Sequence, residues 1–267
     1  MNQVRANLPA AASPDEIIVS VAGCVTTVTI ARAARRNALA ECHWLALDRA
    51  FREAAAAHTR VLVLAGQPGV YSAGADLAEL AALLDEPAAF RANTEVVQTA
   101  QQALADLPAA TIAAIDGICV GGGLGLALAC DLRIATPRSR FAITPAKLGL
   151  VYSAADSARL VAAIGPARAR DLLLRGRSVD AEEALAIGLV GELVAPEALE
   201  ATVTARCDEL LALSPSSIAG IKRVLAHLAD PARTPLEVAD QAFLEAFDGA
   251  DFAEGARAFL DKRPPRF

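Results

Sequence analysis

Two apolar runs, Arg60–Ala65 (RVLVLA) and Thr111–Ile115 (TIAAI), each lead into a glycine-containing loop that opens a helix. Strands apolar at successive positions are buried on both faces, the habit of parallel sheets covered by helices. The rest of the chain supplies the partners such a sheet needs. Glu16–Val21 and Val25–Ile30 read as a hairpin around Ala22-Gly23-Cys24. Asn37–His58 reads as a helix with Leu39, Trp44, Leu47 and Phe51 on its apolar face. Helices are also expected over Leu77–Leu84 and Pro87–Asp106, and strands at Leu132–Ala135 and Phe141–Thr144. From Ser157 the pattern turns largely helical, through Pro166–Leu174, Ala181–Ile187, Pro196–Leu213, Pro215–Leu228 and Pro235–Phe247, with a short strand in Gly188–Val194. The fold class is α/β with a helical C-terminal region. The expected organisation is a leader over residues 1–14, a core over 15–199 and a helical region over 200–267.

Composition narrows the function classes. With 267 residues, 54% of them hydrophobic, the chain buries a large core and is not disordered. A net charge of −6 with scattered arginines leaves no footprint for nucleic acid. No stretch approaches the ~20 apolar residues that cross a bilayer, and MNQVRANLPAAASPDE lacks the apolar centre of a signal peptide. The five cysteines form no CxxC pair and the three histidines no HxxxH pair, which argues against a disulfide framework and a zinc site. The expectation is a metal-free cytoplasmic protein with neither membrane nor nucleic acid as partner.

The chemistry concentrates in two loops, Tyr71-Ser72-Ala73-Gly74-Ala75-Asp76-Leu77 and Asp116–Gly125, the latter containing Gly121-Gly122-Gly123. Backbone N–H groups at a helix start point outward and favour negative charge. GGGLG is not the dinucleotide fingerprint GxGxxG, no GKS or GKT completes a phosphate loop, and Val70 breaks the esterase elbow GxSxG. Two donor loops suit an oxyanion hole; tightly packed turns are the other reading.

The segments RRNAL, VLVLAG…YSAGADL, IAAIDGICVGGGLGLALACDLRIA, F…LGL and AFLDKRPPRF occur in this order. Over roughly residues 15–267 the chain resembles the crotonase superfamily, the enoyl-CoA hydratases and isomerases. The resemblance implies a spiral of ββα units with a helical trimerisation region, a homotrimer or dimer of trimers, and an acyl-CoA substrate, with no separate cofactor. It places the oxyanion-hole donors on the amides of Ala75 and Gly122, each such donor worth about 3 kcal/mol in a transition state. Ala73, Asp76, Leu77 and Gly121 flank them in the substrate-binding loops, and Asp76 also reads as structural, as does Asp131. Arg35 or Arg36 would approach the CoA phosphates. Phe259 and Lys262 would reach a neighbouring subunit's CoA, unless Lys262 is a solvated tail charge.

The chain departs from the pattern at the proton-transfer groups. Hydratases of the family use two glutamates, the first in GGGxE and the second in a PE pair. Those places hold Gly125 and Pro145, neither of which exchanges a proton. TPAKLGLVY is instead similar to the TPxxLGxxY segment of methylmalonyl-CoA decarboxylases, whose tyrosine matches Tyr152; those enzymes carry a histidine at the place of Ala75 and a glutamate at that of Gly125. The remaining proton-transfer candidates are Tyr152 and Asp156. Tyr152 equally suits a hydrogen-bonded core role, and Asp156 reads more readily as the N-cap of a helix starting at Ser157 than as a displaced acid/base carboxylate. A non-catalytic acyl-CoA binder and a structural subunit are the alternatives.

Overall fold

The computed structural model describes residues 12–267, so most of the expected leader lies outside the described residues. The hairpin forms as β1 (Ile17–Ala22) and β2 (Val25–Ile30), joined through Gly23 at φ +59°. After β3 (Ala38–Leu39) comes α1 (Glu41–Ala56), which buries Trp44, Leu47 and Phe51 as its spacing predicts. Next come β4 (Val61–Gly66), β5 (Val70–Ser72), β6 (Gly74–Ala75), α2 (Leu77–Ala82) and α3 (Pro87–Ala105). They are followed by β7 (Ala110–Ile115), β8 (Ile118–Val120), α4 (Gly122–Ala129), β9 (Leu132–Ala135), β10 (Arg140–Ala142) and α5 (Ala154–Arg175). The last part holds β11 (Ser178–Asp180), α6 (Ala181–Ala186), β12 (Glu192–Leu193), α7 (Leu199–Leu211), α8 (Pro215–Ala229), α9 (Leu236–Asp248) and α10 (Ala250–Leu260).

One sheet runs β1-β2-β4-β7-β9-β12, a second β11-β10-β8-β5, and β3 pairs with β6 in a third of two strands. Each turn of chain gives one strand to the first sheet and the next to the second, as β4–β5, β7–β8 and β9–β10, before a helix returns it. Parallel pairing stacks successive turns in both sheets. This is the expected spiral of ββα units. Within β4 and β7, Leu62, Leu64, Ala113 and Ile115 enter the main core while Val61, Val63, Ile112 and Ala114 pack on the opposite face. The two-residue alternation explains why both runs are apolar throughout.

Several local features differ from the sequence reading. The helix expected over Asn37–His58 begins only at Glu41, and Leu39, expected on its apolar face, lies in β3. The helix expected from Ser157 begins at Ala154 and continues to Arg175 across a kink at Gly165 (φ +77°). Strands β5 and β8 lie inside segments expected to be loops, and α10 carries the terminal AFL. Next to residue 200, α7 packs Val203 and Cys207 on the outer face of the first sheet. Helices with exposed apolar faces begin at α8: Ile221, Leu225, Leu228, Phe243, Leu244 and Phe247 are each more than half exposed.

One irregularity adjoins the site. Val70 pairs with Ile118 and Ser72 with Cys119, so β5 holds one residue more than β8 over this stretch. The bulge lets two consecutive side chains, Tyr71 and Ser72, both be fully buried.

Candidate active site

Parallel pairing of β5 with β8 sets the two glycine loops side by side. Gly74 makes the close approach possible: at φ +87°, a Cβ there would lie 2.7 Å from the Val120 carbonyl oxygen and 2.9 Å from the Gly122 nitrogen. The Ala75 nitrogen lies 3.8 Å from where a Cβ on Gly122 would stand, so the two amides expected to act together are neighbours. Gly122 is the first residue of α4, where an N–H has no acceptor within its own helix. The indole of Trp44 packs over Gly122, 3.1 Å from that same Cβ position. Gly121 turns the chain at φ +54°, with its N–H donating to the Ala142 carbonyl at 2.9 Å.

Asp76 follows Ala75 and is committed within the protein. Its Oδ1 accepts the Ala78 N–H at 3.0 Å, capping α2, and its Oδ2 accepts Arg32 Nη1 at 2.7 Å. Burial pushes the Asp76 carboxyl up, but the Arg32 hydrogen bond and the capping amide outweigh it and hold the group below the ordinary carboxylate range. Asp76 thus plays the structural part of its expected pair of roles. Arg35 is half-exposed, with Nη2 3.9 Å from Asp76 Oδ1. Arg36 is exposed at φ +52°, and its carbonyl receives the Ala73 N–H at 3.0 Å. Leu77 is exposed beside the loop.

Beneath α4 lies a buried polar cluster. A Cβ on Gly125 would fall 2.2 Å from the Gln101 side-chain amide and 3.1 Å from Asp156 Oδ1. Gln101 and Asp156 therefore fill the space into which a side chain at 125 would project. Asp156 is not the N-cap expected of it. Ser153 caps α5, its Oγ accepting the Asp156 N–H at 3.0 Å and donating to Asp156 Oδ2 at 2.8 Å. Arg159 Nη1 donates to Oδ1 at 3.0 Å and Gln98 Nε2 to Oδ2 at 3.3 Å. Oriented with its nitrogen toward the carboxylate, Gln101 donates to both oxygens at 3.0 and 3.1 Å. Both oxygens are thus engaged, and the residue is 3% exposed.

Tyr152 is half-buried, and its hydroxyl donates to the Gly121 carbonyl at 3.3 Å, next to the Gly122 amide. Burial, with the Asp156 charge behind it, pushes the phenol well above its ordinary value, so the group remains a proton donor near neutral pH. Pro145 opens a tight turn, Pro145–Leu148, and brings no carboxylate. Phe259 and Lys262 stand exposed at the end of α10 and hydrogen-bond to neither glycine loop. Asp131 ties β7 to α8, accepting Thr111 N–H at 2.8 Å and Lys222 Nζ at 2.7 Å. Sequence reasoning missed Arg32, Gln98, Gln101 and Arg159. A glutamine or arginine at helical spacing reads as a solvated face, and Arg32, in the loop after β2, reads as a surface charge; only tertiary packing turns them inward. Among the described residues no three His, Cys, Asp or Glu side chains form a metal-binding group, and no helix is long and apolar enough to cross a membrane.

Comparison with known proteins agrees with this architecture. The family profile for enoyl-CoA hydratase/isomerase matches residues 21–267. A Thermus thermophilus protein provisionally named enoyl-CoA hydratase is 36% identical over 249 residues, covering 92% of this chain and 98% of the relative. Rat mitochondrial methylglutaconyl-CoA hydratase is 32% identical over 213 residues, covering 78% and 67%. The crystal structure of an enoyl-CoA hydratase from Bacillus anthracis superimposes with a TM-score of 0.87 at 30% identity, covering 94% of this chain and 98% of that one. The chain has the crotonase fold and belongs to the enoyl-CoA hydratase/isomerase family.

Proposed function

We propose that the chain is an acyl-CoA enzyme of this family in which the amides of Ala75 and Gly122 hold the thioester carbonyl oxygen as it becomes an enolate. The observation that carries this reading is the meeting of those amides across Gly74, with the Tyr152 hydroxyl on the adjacent Gly121 carbonyl. Donors aimed at a developing oxyanion are the largest single contribution such a site makes. Tyr152 is the group that delivers the proton to the enolate carbon. Arg35, Arg36, Ala73, Leu77 and Gly121 flank the acyl-CoA, and Phe259 and Lys262 reach the site of an adjoining copy in a homotrimer or dimer of trimers. The exposed apolar faces of α8 and α9 support that assembly.

The environment of Asp156 favours a second, narrower reading. Hydration requires a base, whereas loss of a carboxylate requires none. The substrate C–C bond breaks, CO2 leaves, its electron pair forms the enolate, and Tyr152 protonates the carbon before regaining a proton from solvent. A buried Asp156 whose two oxygens are engaged suits this base-free route, similar to methylmalonyl-CoA decarboxylation.

Incubation with methylmalonyl-CoA and with crotonyl-CoA, following CO2 and thioester absorbance, tests both readings. The expected result is CO2 release that falls about 100-fold in Tyr152→Phe, the scale of a lost general acid. Crotonyl-CoA hydration that survives Tyr152→Phe refutes the role of Tyr152. Binding of acyl-CoA thioesters without turnover identifies a non-catalytic binder.

A further inference from the structure

Among the described residues, the strand that carries the Ala75 amide belongs to the smallest sheet. Ala38 and Leu39 of β3 pair with Gly74 and Ala75 of β6, and the pair is two residues long. A pair this short has too little ladder to define its own geometry. The cross-tie is Arg32, 5% exposed. Its Nη1 donates both to the Ala38 carbonyl of β3, at 2.9 Å, and to Asp76 Oδ2 just beyond β6, at 2.7 Å. Its Nε lies 3.2 Å from Glu16 Oε2. That oxygen is also 2.7 Å from Nε2 of the fully buried His43, whose Nδ1 accepts the Ala40 N–H at 2.9 Å. The proton of His43 therefore sits on Nε2 and is donated to Glu16. The chain His43–Glu16–Arg32–Asp76 runs from α1 to the residue that follows Ala75.

We propose that Arg32 is a positioning residue for the oxyanion site, its Nη1 bridging β3 and Asp76 so that the Ala75 amide is held toward that of Gly122. This rests on the acyl-thioester reading above. The cap on α2 does not require Arg32, because Asp76 Oδ1 makes that bond. What Arg32 adds is a second fixed point on the other oxygen and a third on β3. Donors in an oxyanion hole contribute through pre-set geometry, so a small displacement of Ala75 lowers affinity for an enolate while leaving contacts to the CoA moiety intact.

The test uses the full-length protein with acetoacetyl-CoA, whose enolate has its own ultraviolet band, and with CoA. Wild type is expected to bind acetoacetyl-CoA more tightly than CoA and to intensify the band. Arg32→Met should keep its CoA affinity, lose about tenfold in acetoacetyl-CoA affinity and weaken the band, as expected when one preorganised donor is misplaced. Asp76→Asn, which still caps a helix, should reproduce the loss, and Arg32→Lys should recover part of it. The Arg32→Met/Asp76→Asn double variant should lose no more than either single one. A purely structural role would lower the melting temperature and leave the ratio of the two affinities unchanged; that result, in either Arg32→Met or Asp76→Asn, overturns the proposal. Wild type that does not prefer acetoacetyl-CoA overturns the acyl-thioester reading, and this role with it.

Discussion

Gly125 sits inside α4, where alanine is ordinarily the better residue by about 1 kcal/mol. On propensity alone, Gly125→Ala stabilises the protein. The surroundings reverse the sign. The new Cβ would stand 2.2 Å from the Gln101 amide, and Gln101 is fully buried with that amide on the Asp156 carboxylate. Overpacking costs about 1–3 kcal/mol, and forcing an amide from a charged, buried acceptor costs about 1.5–3 kcal/mol more. After the helix gain is subtracted, the expected loss is about 1.5–5 kcal/mol, a fall in Tm of roughly 3–20 °C for a chain this size. The assay is urea and thermal unfolding of wild type, Gly125→Ala, Gln101→Ala and the double variant at one protein concentration. Gln101→Ala removes the obstacle, so the double variant should be more stable than the sum of the single effects by about 1 kcal/mol or more. A Gly125→Ala protein as stable as wild type, or strictly additive effects, would refute the claim that Gln101 occupies the missing side chain's place.

Lys222→Met removes Nζ from Asp131 and from the Ala109 carbonyl; the expected cost is about 1–3 kcal/mol, with faster amide exchange confined to α8. Asp76 and Asp116 are both held below the ordinary carboxylate range, despite burial, by Arg32 and Arg138 respectively. Their stabilisation is complete above the unfolded value near pH ~4 and drains as pH falls through their lower folded values. Asp76→Asn should therefore weaken the protein at neutral pH and make the acid fall shallower, read from urea midpoints across that range. Sedimentation of wild type should give a trimer or hexamer, and Leu225→Glu with Phe247→Glu should give monomers; a monomeric wild type would refute the assigned role of α8 and α9.

The sequence exposes what depends on local pattern. Residues 61–65 and 110–115 announce doubly buried strands because every side chain there meets a core, and Trp44, Leu47 and Phe51 announce the inner face of α1 because helical spacing alone aligns them. The site is legible only in its backbone half. Gly74, Gly121 and Gly122 mark places where chain must approach chain, whatever surrounds them. The side-chain half is not legible, because Gln101, Arg32 and Arg159 acquire meaning from partners 24 to 57 positions away. The mistaken cap at Asp156 has a simpler origin: Ser153 and Asp156 are both capping residues three positions apart, and the serine closes the turn first.

The bulge in β5 has a bearing on how this loop can change in length. The segment changes sheets between β5 and the Ala75 amide: β5 ends at Ser72, Gly74 turns at φ +87°, and β6 then pairs with β3, so Ala75 takes its register from Leu39 and not from Ile118 or Cys119. The Asp76 N–H on the Leu39 carbonyl, at 2.9 Å, closes that register just beyond Ala75. A change of length within positions 70 to 72 is therefore expected to be taken up at the junction of the two sheets, leaving the outward sense of the Ala75 N–H to β3.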